Sequence, residues 1–285
     1  MKRFASLIAA VSVLAAGVTA LAGGVASASG ASGSMALPTL NIALTGAQGI
    51  SVSGSMVTGA VQVVTTFSGK LPKGSQGAAV GIVRLNPGAT IQQAAGAVQS
   101  HGGDINALSP YGSLFFDASA PSKMQTVFLS PGNYVALNVT GNGQPGFAPF
   151  TVTQAATPAA LPAAKSTETA IEFTFHGPNV LHDGTIVRAQ NHGWLVHMID
   201  VFGVRSKAAG KHVIALMRAG AALRKIAPFL NGRDVTLMGP TSTGGLQQQV
   251  LNAKPGYYIE ACFMNTQDGR EHVQLGMERL VRIVK

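Results

Sequence analysis

The feature that most limits the fold is a series of short β-favouring runs separated by glycine, proline, serine and asparagine. The 285 residues include 35 Gly and 14 Pro, which both disfavour helix interiors, so a bundle of long helices is excluded. In the first half these runs cover 61–67, 79–85, 126–129 and 134–139. In the second half they cover 170–175, 185–189, 195–201, 246–251, 257–263 and 280–284. This pattern of short runs separated by turn residues predicts an all-β fold, most simply a β-sandwich.

The run at 170–175 shows the expected strand pattern. Ile171, Phe173 and Phe175 alternate with polar residues, as one half-buried strand requires. Two other patches, 91–98 and 212–223, carry apolar residues at helical spacing. We therefore expect one short helix in each half.

The two halves share one turn. Pro131-Gly132 and Pro255-Gly256 each lead into an apolar strand after a similar length of chain, and a Pro-Gly pair favours a tight turn. Between the halves, residues 153–167 are rich in Ala and Pro and show no alternation, which is typical of a linker. We predict a tandem repeat of two β-domains, 29–152 and 168–285.

The N-terminus has the pattern of a secretory signal. Two basic residues precede an apolar run at 4–21, and small residues in A-x-A spacing end at Ala28. We expect residues 1–28 to be a signal peptide cleaved after Ala28, with a retained anchor as the alternative. No later run reaches the roughly 20 apolar residues of a spanning helix. A secreted or cell-envelope location follows.

Charge and motifs exclude several functions. The formal net charge is +9, but the basic residues are scattered and few aromatics lie among them, so no nucleic-acid partner is expected. Neither a G-x-S-x-G elbow nor an H-E-x-x-H helix occurs, and no paired carboxylates flank a plausible cleft. A single Cys excludes an intrachain disulfide and a multi-cysteine zinc site. We expect no enzyme.

One set of residues carries metal chemistry. His197 follows an Asn- and Gly-containing turn at the start of an apolar strand. Cys262 follows the second Pro-Gly strand entry, with His272 and then Met277 downstream. His192 competes with His197 as the first ligand, and His197 is favoured because its next residues run directly into a strand.

In these residues the second half, 168–285, resembles the cupredoxins, the plastocyanin-like blue-copper family. The Pro-Gly-x-Tyr entry before the Cys, the four residues between His and Met, and the Gly before Met all match. The resemblance implies tandem cupredoxin-like Greek-key β-sandwiches and one copper of type 1 character. It makes His197, Cys262 and His272 the strong ligands and Met277 the axial one. It further implies a one-electron carrier with a redox partner protein, and His272 as its solvent-facing edge.

The sequence also departs from that family. Nine residues separate Cys262 from His272, against two to four in the small electron carriers, and Met198 stands where plastocyanins place an Asn. Asn138 aligns with Cys262 at the paired turns, so the first half should be metal-free. The His-x-His pairs that multicopper enzymes of this family require do not occur.

Two other functions stay open from the sequence. One is a metal-free cell-envelope binding or structural module, and the other is a copper delivery or storage protein. Four histidines lack matching partners and are expected to be structural or exposed: His101, His176, His182 and His212.

Overall fold

A computed structural model describes residues 36–73, 75, 77–120, 125–140 and 145–285. The expected signal peptide, 1–28, lies outside the described residues. Among those described, no helix is both long and apolar enough to cross a membrane.

The first half consists of two sheets and a short helix. Helix α1 spans Ile91–Ser100, and Thr90 caps it through a hydrogen bond from the Gln93 backbone. A 3-10 helix, Ile105–Leu108, follows. The described residues of this half form eight strands: β1 (Thr39–Thr45), β2 (Gly49–Gly54), β3 (Gly59–Ser68), β4 (Ala78–Leu85), β5 (Gly112–Ala120), β6 (Gln125–Leu129), β7 (Gly132–Asn138) and β8 (Gly146–Val152).

The second half also combines strands with short helices. Helix α2 spans Lys207–Arg218 and is followed by the one-turn helix α3, Leu223–Ile226. Two 3-10 helices are Ala227–Phe229 and His272–Leu275. The nine strands are β9 (Ser166–Ile171), β10 (Thr174–His176), β11 (Val180–His182), β12 (Ile186–Asn191), β13 (His197–Val204), β14 (Leu230–Thr241), β15 (Leu246–Val250), β16 (Gly256–Ala261) and β17 (Glu278–Val284).

The two halves share most of their strand order. One sheet runs β1-β3-β6 in the first half and β9-β12-β15 in the second, with a parallel first pair each time. The facing sheet runs β5-β4-β7-β8 in the first half and β14-β13-β16-β17-β11 in the second, where β11 is an additional edge strand. The predicted fold, tandem β-sandwiches each with a short helix, is confirmed. That the two sequences arose by duplication stays a prediction.

The halves are joined through a shared sheet. Strands β6 and β15 pair at Thr126 and Gln248, which makes one eight-stranded sheet across both sandwiches. One apolar core contains residues of both halves, among them Val98, Leu108 and Leu114 with Met198 and Cys262. A second core is confined to the first half, and a third lies under α2. The domain limits 29–152 and 168–285 stay a prediction.

The paired Pro-Gly turns end in the same contact. Tyr134 donates from its hydroxyl to the Ser130 carbonyl at 2.9 Å, and Tyr258 donates to the Lys254 carbonyl at 2.6 Å. Both rings are buried. The hydroxyl satisfies a carbonyl at the turn while the ring fills the sandwich core, so each turn is fixed to its strand.

The single strand expected at 170–175 is wrong. The chain turns at Glu172, whose φ is +42°, and β10 returns antiparallel to β9 with Thr174 opposite Ile171. The Glu172 carboxylate accepts a hydrogen bond from the Trp194 backbone at 2.9 Å. Residues other than glycine rarely adopt a positive φ, and at Glu172 this conformation occurs together with the long-range contact to Trp194. The alternation of apolar residues does not reveal such a turn.

Candidate metal centre

Three of the four expected ligands meet at one end of the second sandwich. His197 is the first residue of β13, Cys262 follows β16 directly, and His272 begins a 3-10 helix. Because β13 and β16 are neighbours in the sheet, the first two donors come from adjacent strands. All three side chains are buried, and one donor atom from each lies within 4.8 Å of the others.

The three atoms form a triangle of the size that a metal ion fits. The two Nδ1 atoms are 3.2 Å apart, and the Cys262 sulfur is 3.9 Å from Nδ1 of His197 and 3.4 Å from Nδ1 of His272. A point in their plane about 2.0 Å from each nitrogen, a normal metal–imidazole distance, is about 2.1 Å from the sulfur. Two imidazoles and a thiolate are the trigonal set of blue-copper sites.

Burial keeps both imidazoles neutral. It lowers the pKa of His197 to about 3, with a smaller contribution from His272, and lowers the pKa of His272 to about 4. A neutral ring has a nitrogen lone pair to offer a metal. Within the described part of the chain the buried Nε2 atoms of both rings have no hydrogen-bond partner, while their Nδ1 atoms face the sulfur.

The backbone N–H groups of Met198 and Met264 partly compensate for the burial of the Cys262 thiol. Burial raises the pKa of Cys262 to about 12, so the sulfur keeps its proton until a cation displaces it. The backbone N–H of Met198 lies 3.5 Å from this sulfur and donates to it. The side chain of Met198 cannot replace the Asn found in plastocyanins, but the backbone at the same position supplies a donor to the sulfur.

Met277 is held beside the other candidate ligands by its backbone. Its N–H donates to the His272 carbonyl at 3.0 Å, and its carbonyl accepts from the Cys262 N–H at 3.2 Å. The side chain is buried in the same apolar core as Cys262. Axial ligation by the Met277 sulfur stays a prediction.

His272 is not a solvent-facing edge, contrary to the expectation. Its side chain is fully buried, because Phe173 packs edge-on against the ring with centroids 5.2 Å apart. Phe173 reaches it from the turn between β9 and β10, which sequence alternation assigned to a continuous strand. The other imidazole is covered by Gly193, where an added Cβ would lie 2.8 Å from Nε2 of His197.

The remaining histidines lie elsewhere. His192 is exposed and is not part of the group formed by His197, Cys262 and His272. The four histidines that were expected to be structural or exposed are all exposed: His101, His176, His182 and His212. In the first half the buried Asn138 amide donates to the carbonyls of Gly46 and Gly49. That residue occupies the position equivalent to Cys262, and its role there is to fix a loop.

Comparisons with known proteins give matches among solved structures only. No protein-family model matches the chain, and a search of curated proteins finds no match. A reduced auracyanin from Roseiflexus castenholzii is 14% identical, with 43% of this chain and 100% of that chain covered and a TM-score of 0.27. Auracyanin B is 15% identical, with coverages of 44% and 93% and a TM-score of 0.27.

Several matching structures span both halves. A copper-containing nitrite reductase from Thermus scotoductus is 11% identical, with 87% of this chain and 68% of that chain covered and a TM-score of 0.24. We draw no conclusion from TM-scores this low. The resemblance to the cupredoxins comes from two features of this chain: the topology of its sandwiches, and the buried His-Cys-His set in its second half.

Proposed function

We propose that this protein binds one copper ion in its second half and carries single electrons. The observation that supports this most directly is the triangle of Cys262 sulfur and two Nδ1 atoms, whose size and donor types fit copper. His197, Cys262 and His272 would be the strong ligands, with Met277 as a weak axial one. When bound, copper supplies a reversible one-electron couple.

The surrounding residues suit a carrier that keeps its metal. The donors come from strands β13 and β16 and from a short helix tied to them by backbone hydrogen bonds. Such a frame limits ligand movement between oxidation states, which lowers the reorganisation that electron transfer requires. The burial of all three side chains favours retention over rapid delivery, because an incoming acceptor has no open ligand to attack.

The decisive experiment is a copper titration of the purified protein. We expect binding of one equivalent and, in the oxidised form, an intense visible band from thiolate-to-copper charge transfer. Cys262→Ala should abolish the band, because the other donors lack a thiolate. His176→Ala is the matched control, since this histidine lies on β10 of the same half and is exposed.

The result also separates the alternative functions. A visible band that survives Cys262→Ala would contradict the proposal, and a wild-type protein that ignores copper would contradict it and favour a metal-free module. Reversible reduction and reoxidation without copper loss supports the carrier. Copper that passes within seconds to a soluble Cu(I) chelator would instead favour delivery.

The proposal includes export and the absence of enzymatic activity. Export is supported by the basic start, the apolar run and the A-x-A spacing of residues 1–28. A non-enzymatic role is supported by the lack of His-x-His pairs anywhere in the sequence. Detection of the copper-loaded mature protein outside the cytoplasm, with an N-terminus at Ser29, tests the first point.

A further inference from the structure

A segment of the first half covers the ligand end of the second. The 3-10 helix Ile105–Leu108 begins after Asp104. Leu108 is buried in the core that also holds Cys262 and Met277, and Ile105 packs against that core. These apolar contacts therefore pack the 3-10 helix into the core that the two halves share.

Asn106 makes a specific polar contact there. Its Oδ1 accepts a hydrogen bond of 2.7 Å from the backbone N–H of Val196, the residue before His197. The Asn106 amide is itself held, since its Nδ2 and its backbone N–H donate to Oδ1 of Asp104 at 2.8 and 2.9 Å. The acceptor oxygen is thus fixed in position before it meets Val196.

The same peptide group is held from its own half. Nδ2 of Asn191 donates to the Leu195 carbonyl and to the Thr241 carbonyl, both at 2.7 Å. The peptide between Leu195 and Val196 therefore has its carbonyl bound by Asn191 and its N–H bound by Asn106. Two asparagines from opposite halves fix the backbone that delivers His197 to the site.

We infer that Asn106 is a positioning residue of the metal centre, through which the first half slows the opening of the site and the exchange of metal. This inference rests on the proposed function and assigns a role to the first half. Without the Asn106 acceptor, the N–H of Val196 loses its hydrogen-bond partner. The peptide group before β13 is then held only by the hydrogen bond from Asn191 to the Leu195 carbonyl. Local opening should then expose Cys262 more often.

The first test needs no metal. Cys262 is the only cysteine, so its reaction with 5,5′-dithiobis(2-nitrobenzoic acid) in the apo protein reports opening of the site. We expect slow labelling in the wild type and labelling about tenfold faster in Asn106→Ala, the effect of losing one buried hydrogen bond. Asn133→Ala is the control, because that exposed amide lies on β7 and contacts Thr151.

A paired variant separates the hydrogen bond from general disruption. Asp104→Asn combined with Asn106→Asp exchanges the amide and the carboxylate, which keeps an acceptor for Val196 and a donor–acceptor pair between the two side chains. Labelling at the wild-type rate in this double variant supports the inference. Fast labelling in it, or wild-type labelling in Asn106→Ala, overturns the inference. If Asn106→Ala does not fold, Asp104→Ala replaces it, with the same expected direction.

The second test uses the copper-loaded protein. Transfer of copper to a Cu(I) chelator should be about tenfold faster in Asn106→Ala than in the wild type, and unchanged in Asn133→Ala. A wild type that binds no copper refutes the proposed function while the thiol experiment still decides the role of Asn106. A wild type that binds copper, with Asn106→Ala exchanging at the same rate, refutes this inference and leaves the proposed function standing.

Discussion

Arg279 lies between two buried carboxylates. Its guanidinium donates to Glu260 Oε2 at 2.9 and 2.7 Å, to the Gly177 carbonyl at 2.6 Å and to Glu168. Both glutamates have fully buried side chains, and that of Arg279 is 17% exposed. Removing the cation would leave two acids with no compensating charge in the second sandwich. We therefore predict that Arg279→Met is among the most destabilising single substitutions in this half.

The size of the loss follows from the burial. Breaking a buried ion pair by removal of one partner costs about 3–5 kcal/mol. For a chain of this size that corresponds to a fall in Tm of roughly 10 °C. Thermal and urea unfolding of the apo protein, followed by circular dichroism, measures both quantities. Arg282→Met on the same strand is the control, since its side chain is exposed and a loss within about 0.5 kcal/mol is expected.

A compensating variant tests the reason for the loss. Glu168→Gln and Glu260→Gln keep the shape of the side chains and remove the charges. Added to Arg279→Met, the two substitutions should restore more than half of the lost free energy of unfolding. A loss below about 1 kcal/mol for Arg279→Met alone, or no recovery in the triple variant, would refute the reasoning that uncompensated charge sets the cost.

Three further predictions concern other parts of the molecule. Gly193→Ala should weaken copper binding at least tenfold in a chelator competition, because its Cβ would lie 2.8 Å from Nε2 of His197; unchanged affinity would show that the ring can move freely. Tyr134→Phe and Tyr258→Phe should each lower the free energy of unfolding by about 1–2 kcal/mol, and a double variant that departs from additivity would contradict two separate turns. Burial, and then Asp200, raises the pKa of Asp117 from 3.8 to about 7, so the stability that this group contributes is complete below pH 4 and is lost as the pH rises through 7. Asp117→Asn should therefore raise Tm by a few degrees at pH 8 and leave it unchanged at pH 4, and equal gains at both values would count against this titration.

Much of the fold was accessible from local pattern. The strand ends in the structure lie close to the predicted ones for most runs, because alternation and Gly or Pro boundaries are local properties. The convergence of His197, Cys262 and His272 was also expected, from the resemblance and not from the pattern. The turn at Glu172 was not expected, because its conformation is accompanied by a contact with Trp194, 22 residues away.

Two of the features that the sequence did not reveal depend on long-range contacts. The role of Asn106 depends on a hydrogen bond to Val196, 90 residues further along the chain, and an isolated Asn in the sequence gives no signal of such a partner. The burial of His272 depends on Phe173, which lies on the missed turn. The family resemblance therefore predicted the donor residues, while the residues that enclose them became visible only in three dimensions.

The pairing of β6 with β15 means that neither sandwich is closed on its own. If the residues before β9 were removed, β15 would become an exposed edge strand. Its unpaired backbone N–H and C=O groups could then pair with strands of other molecules. Shortening the protein to its second half would thus create a self-association surface. In the chain with both halves, β6 pairs with β15 and covers that edge.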